Sequence, residues 1–139
     1  MDWICWVVPV KPGKTEVARE YCRALETTRR ADYEASEREL GIEREVFFLW
    51  TNPEGKDYIV LYMDGDDMTE ALDVWEAHTG EFETWGKGQW AEFCDSDELP
   101  KPLSAGPGNG RSRTSASVSH ASASSFFASL SGPPVRTSG

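Results

Sequence analysis

The run Glu45–Thr51 (EVFFLWT) constrains this chain more than any other segment. Its β-branched and aromatic residues suit a strand, and strand side chains alternate between two faces. Phe48 and Trp50 then share one face while Phe47 and Leu49 share the other, so the strand is apolar on both sides. A sheet built on it has to be covered twice. Helices of the same chain can cover one face. The other needs a second cover, because an exposed aromatic sheet face exceeds the roughly few hundred Å² of contiguous apolar surface that monomers show. The expectation is a homodimer through the sheet face.

The rest of the pattern supplies the helices. Trp3–Val10 (WICWVVPV) reads as a first strand, ended by Pro12-Gly13. Thr15 is placed to cap a helix. From there to Leu40 no proline or glycine intervenes, and Val17, Tyr21, Leu25, Thr28, Ala31 and Ala35 recur at spacings of three and four, which predicts one continuous helix stopped by Gly41. Asn52-Pro53-Glu54-Gly55 is a turn that joins Glu45–Thr51 to a third strand, Asp57–Asp64, as a hairpin. Asp66 or Asp67 can cap a helix over Met68–His78. Phe82, Trp85, Gln89 and Phe93 suggest one more short helix, against which Gly86 and Gly88 each weigh about 1 kcal/mol.

The order strand–helix–strand–strand–helix is most of a split βαβ unit, so the fold class expected is α+β, ferredoxin-like, an antiparallel sheet with helices on one face. The complete unit ends in a fourth strand beside the first. Leu99–Leu103 (LPKPL) contains two prolines, which cannot donate to a ladder. No fourth strand is expected there, and the edge of the first strand is expected to stay open.

Charge divides the chain in the same place. All 24 acidic residues lie between Asp2 and Glu98 beside ten lysines and arginines, a formal charge of −14, whereas residues 99–139 carry four basic groups and no acid. Residues 104–139 hold 11 Ser, 5 Gly and 5 Ala, a composition that cannot repay the entropy of ordering. The organisation expected is a domain over 1–103 and a disordered tail over 104–139. A domain this acidic repels phosphate backbones, which excludes nucleic acid as its partner.

Cys5, Cys22 and Cys94 are odd in number and form no CxxC, so free thiols are expected and no zinc site. Nothing resembles a signal peptide or a membrane span, and a cytoplasmic address with no membrane partner follows by elimination. There is no nucleophile motif, phosphate loop or dinucleotide fingerprint, so no cofactor is expected and no catalytic residue is assigned.

Two clusters qualify as candidate sites. His78 can act as a base or ligand, or simply as a cation at a helix C-terminus. No His or Cys stands at a ligand spacing from it, so a metal site is not expected. Arg29, Arg30, Asp32, Tyr33, Glu34, Glu37 and Arg38 crowd the second half of the long helix. The i,i+4 pairs Arg30–Glu34 and Glu34–Arg38 describe a solvated, self-paired face. Alternatively Arg29 or Arg30 with Tyr33 forms a rim for an anionic ligand.

The length, the element order and the aromatic strand faces resemble the dimeric α+β barrel superfamily. More narrowly, Arg29-Arg30-Ala31-Asp32-Tyr33-Glu34-Ala35-Ser36 through Leu40-Gly41-Ile42, the strand after Glu43 and Phe82-x-x-Trp85 resemble a family of small bacterial domains of unknown function, over about residues 3–103. In that family the Pro-rich run leads into a final strand ending in an acid and a Trp; here Gly108-Asn109-Gly110 leads into Arg, Ser and Ala. The barrel resemblance implies a ligand cavity between sheet and helices, with Tyr62 and Trp6 as lining candidates. The function it implies is a homodimeric domain that binds a small apolar or aromatic molecule. A cofactor-independent oxygenase or isomerase is one alternative, and a structural or interaction domain is another.

Overall fold

The computed structural model describes residues 1–95 and the backbone of residues 101–105. The elements are β1 (Asp2–Pro9), α1 (Thr15–Glu26), α2 (Arg30–Leu40), β2 (Ile42–Thr51), β3 (Asp57–Gly65), α3 (Met68–Ala77), α4 (Glu81–Phe93) and β4 (Lys101–Ala105). The strands form one antiparallel sheet in the order β2-β3-β1-β4. The fold is α+β with a ferredoxin-like strand order. Among the described residues no helix is long and apolar enough to cross a membrane.

Register sorts the side chains. Trp6 lies opposite Leu61, and Phe47 opposite Leu61 on the other side. Ile4, Trp6, Val8, Ile59, Leu61, Met63 and Phe47 therefore share the face toward the helices, and Trp6 and Val8 are fully buried there against Phe93 and its neighbours. The opposite face carries Trp3, Val7, Val46, Phe48, Trp50, Tyr58, Val60 and Tyr62. Among the described residues no helix covers it, and Phe48 and Trp50 remain 56% and 49% exposed. Both faces are apolar, as the alternation of Glu45–Thr51 requires.

The fourth strand corrects the expectation from Leu99–Leu103. β4 pairs with β1, and the register shifts between Cys5 and Trp6, where Pro102 stands opposite Trp6. An edge strand beside an irregularity is where a ladder tolerates a residue without an N–H. The edge of β1 is therefore paired along Ile4–Val7. Of the expected tail over 104–139, residues 104 and 105 belong to β4, and the remainder lies outside the described residues.

The single long helix is also corrected: α1 and α2 are separate. No proline or glycine divides them. The Thr27 hydroxyl donates to the Arg23 carbonyl at 2.7 Å, and the Thr27 and Arg29 amides both turn back to the Ala24 carbonyl, at 3.2 and 2.7 Å. A threonine hydroxyl on the i−4 carbonyl bends helices. The Arg29 guanidinium then sits over Phe82 and Trp85, 5.3 and 4.7 Å from the ring centres, and bonds Glu81 at 3.1 Å. The break changes the phase of α2. Ala31 and Ala35, expected inside, are exposed, while Ser36 is buried and Tyr33 and Leu40 pack on the core. Thr15 opens α1 without capping it, and its hydroxyl donates instead to Asp57 Oδ2 at 2.6 Å.

Other boundaries follow the sequence. Asp67 caps α3 by accepting the Thr69 and Glu70 amides at 3.0 Å. Gly41 ends α2 at φ +69°. α4 runs through both glycines, and Gly86 has a packing reason: a Cβ there would stand 3.0 Å from Trp75 Cη2. Gly65 is tighter still, since a Cβ would stand 2.2 Å from the Gly41 carbonyl oxygen.

These contacts predict opposite outcomes for two substitutions. Gly65→Ala drives a methyl into backbone and is expected to cost more than about 2 kcal/mol in urea denaturation. Gly88→Ala, in a helix position with nothing within 4 Å, is expected to gain up to about 1 kcal/mol.

Candidate functional site

The change of phase in α2 builds the site. Tyr33, Ser36, Glu37 and Leu40 fall on the side of α2 that meets the sheet. On β2, Glu45 lies opposite Met63 and shares the helix-facing side with Phe47 and Leu49. An acidic side chain is thereby delivered into the aromatic core. The Tyr33 hydroxyl donates to Glu45 Oε2 at 2.8 Å, and the Glu37 carboxyl approaches the same hydroxyl. β2 is an edge strand, so Glu45 as a residue is only half-buried while its carboxyl is turned inward.

Around these groups lies a cavity walled by α2, α3, α4 and the sheet. It offers about 50 Å³ to the centre of a water molecule, against the roughly 10–15 Å³ that one water needs. Tyr21, Trp75, Phe82 and Trp90 supply aromatic walls, and Leu61, Met63 and Leu72 aliphatic ones. Tyr21 and Trp90 meet at 71°, edge to face, and so do not stack the space shut.

The electrostatics follow from burial. Burial pushes the Glu45 carboxyl up to about 7; the Tyr33 hydrogen bond opposes the rise and the Glu37 charge adds to it. Burial likewise raises Glu37 above the usual carboxylate range, and Tyr33 and Tyr21 are held neutral for the same reason, with the charge of Glu45 contributing. Burial pushes the Cys22 thiol, which also senses Glu45, up to about 11. Among the described residues no lysine, arginine or histidine pairs with Glu45. Buried Asp64 differs: it receives Arg44 at 2.8 Å.

Of the residues singled out from sequence, Tyr33 and Glu37 line this cavity and the other site candidates stand elsewhere. Trp6 is on the helix-facing side but fully buried in the core. Tyr62 is on the opposite face of the sheet, stacked on Trp3 and donating to Asp64 Oδ2 at 2.7 Å; a one-residue difference in strand parity separates it from the cavity. Arg30 is exposed and bonds Glu34 at 2.8 Å, and Arg29 is engaged on α4. His78 caps α3, its Nε2 3.1 Å from Glu39 Oε1 on α2 and its Nδ1 accepting the Gly80 amide at 3.0 Å. It bridges three helices rather than standing free in water. All three cysteines are free, Cys94 buried and the other two half-buried. Among the described residues no group of three or more His, Cys, Asp or Glu is placed to hold a metal ion.

Glu45 itself was legible. It is the one charged residue in EVFFLWT, and it stands in phase with Phe47 and Leu49. A charge in phase with a strand's apolar face marks a buried carboxyl.

That carboxyl predicts a pH dependence. In the unfolded chain a glutamate ionises near ~4.3; in the fold Glu45 does so near 7. Between those values the folded state holds the extra proton, so this group's stabilisation is full below the unfolded value and is lost as pH rises through 7. Glu45→Gln is expected to match the wild type near pH 4 and to exceed it at pH 8 by on the order of 2–3 kcal/mol, as read from denaturation midpoints at the two pH values.

Residues 1–103 match a protein family described as a family of unknown function (DUF6176). No curated protein and no solved structure matches the chain. The match runs from the first strand into β4 and takes in both α2 and Glu45, so the chain belongs to this family of unknown function, DUF6176.

Proposed function

We propose that the domain is a homodimeric α+β barrel subunit that binds a small apolar or aromatic molecule in the cavity around Glu45. The observation that carries this reading is the inward Glu45 carboxyl, held by Tyr33 beside Ser36 and Glu37 in a cavity whose other walls are aromatic and aliphatic. Apolar walls with a few convergent polar groups are the usual make-up of a ligand site. A chain selected for stability alone would place a hydrophobic residue at position 45, where burial acts against the charge.

The open sheet face supports the second copy. Along β1–β3 it presents one carboxylate, Asp64, which Arg44 neutralises. Everywhere else two copies of a domain whose Asp2–Glu98 stretch carries a formal charge of −14 repel. Aromatic side chains dominate interface cores, and Phe48 and Trp50 are placed as anchors.

A second reading, an isomerase, is favoured by the Glu45 carboxyl titrating at about 7, where a general acid–base works best. It requires a bound ligand to exchange a carbon-bound proton with deuterated water in the wild type and not in Glu45→Gln.

Two measurements test the main reading. The full chain is expected to run as a dimer in light scattering at micromolar concentration, and Trp50→Glu to run as a monomer; a monomeric wild type overturns the dimer. In a thermal-shift screen against small aliphatic and aromatic compounds, at least one compound is expected to raise the wild-type midpoint and to do so less in Tyr33→Phe. A wild type that no compound shifts overturns the binding site.

A further inference from the structure

The polar groups of the Glu45 cavity are all acidic or neutral, and aromatic rings supply much of its wall. Tyr33 and Glu37 face Glu45 from α2, and Tyr21 and Cys22 sense its charge from α1. α3 and α4 bring only uncharged side chains, Leu72, Trp75, Phe82 and Trp90 among them. Among the described residues no cationic side chain lines it. Elsewhere this fold matches a buried carboxylate with a cation, Asp64 with Arg44. At Glu45 it does not.

We infer that the Glu45 cavity takes a compact organic ammonium ion. This rests on the binding reading above and names its ligand class. A carboxylate can supply the counter-charge, and aromatic walls attract a desolvated cation through the ring quadrupole. Tyr33 engages Oε2, which leaves Oε1 for an N–H or N–CH₃ group. The remaining titratable groups are consistent with this. Tyr33, Tyr21 and Cys22 are all raised and stay neutral, so the negative charge of the cavity belongs to its carboxyls, Glu45 and Glu37. The acidic domain as a whole concentrates cations around itself. The size of the cavity favours an ion with few heavy atoms.

The test uses a charged and a neutral molecule of the same shape, tert-butylammonium and tert-butanol, titrated into the full chain at pH 8 and followed by indole fluorescence and by thermal midpoint. The ammonium is expected to bind at least about tenfold more tightly than the alcohol. Its affinity is expected to rise with pH through the Glu45 titration. In Glu45→Gln, which folds at least as well by the stability argument above, the two ligands are expected to bind alike. Equal or tighter binding of the alcohol by the wild type overturns the cation inference and leaves the apolar cavity standing. If neither molecule binds, while a larger neutral compound from the screen does, the cation inference falls alone. If no compound of any class binds, both readings fall.

Discussion

The course of the chain through Thr27–Arg29 decides which side of α2 meets the sheet. One hydroxyl returned to the Arg23 carbonyl, two amides turned onto the Ala24 carbonyl and a guanidinium laid over Phe82 and Trp85 are enough to rephase a helix. Without the break, the stripe begun by Tyr21 and Leu25 would continue through Ala31 and Ala35 and present methyl groups to β2. With it, a tyrosine, a serine and a glutamate arrive instead, and the Glu45 carboxyl has a hydrogen-bond donor within reach. The polar centre of an otherwise hydrophobic layer therefore depends on a local interruption some eighteen residues earlier in the chain.

Arg29 explains why the interruption holds. Its aliphatic stem and planar head cover two aromatic rings of α4 while its nitrogens meet Glu81 and Asp32. Each exposed ion pair contributes little, but the stacking fixes the guanidinium, which lowers the entropy lost in pairing. Arg29 and Arg30, adjacent and chemically identical, thus have different tasks: the first ties helices together and the second stays in water.

Much of this architecture was legible in the amino-acid sequence. Alternation in EVFFLWT gave two apolar sheet faces, Asp67 and Gly41 gave helix ends, and Asn52–Gly55 gave the hairpin. The helix break was not legible, because its cause is side-chain-to-backbone bonding by a residue type that also occurs inside helices. β4 was not, because two prolines argue against a central strand and say little about a short edge strand. The candidate site was legible only in part. Tyr33 and Glu37 belong to it, but a helix of unbroken phase puts them beside Arg30 on its solvated side. Glu45 shares the parity of Phe47 and Leu49, and in the sequence that parity is the one mark of its inward carboxyl. Tyr62 and Trp6 show the converse: lying on strands that are apolar on both faces, neither could be assigned to the cavity by ring chemistry, and the pairing register separates them.

α2 is also the most weakly seated of the four helices. Ser36 is its one fully buried residue, whereas α4 buries five. Elements with little apolar burial are the ones that open locally while the rest of a fold stays intact. α2 covers the cavity from the side of the edge strand and is held at its two ends, by Arg29 on α4 and by Gly41 against the backbone near Gly65. α2 is therefore the wall of the cavity with the least apolar burial to lose if it loosens.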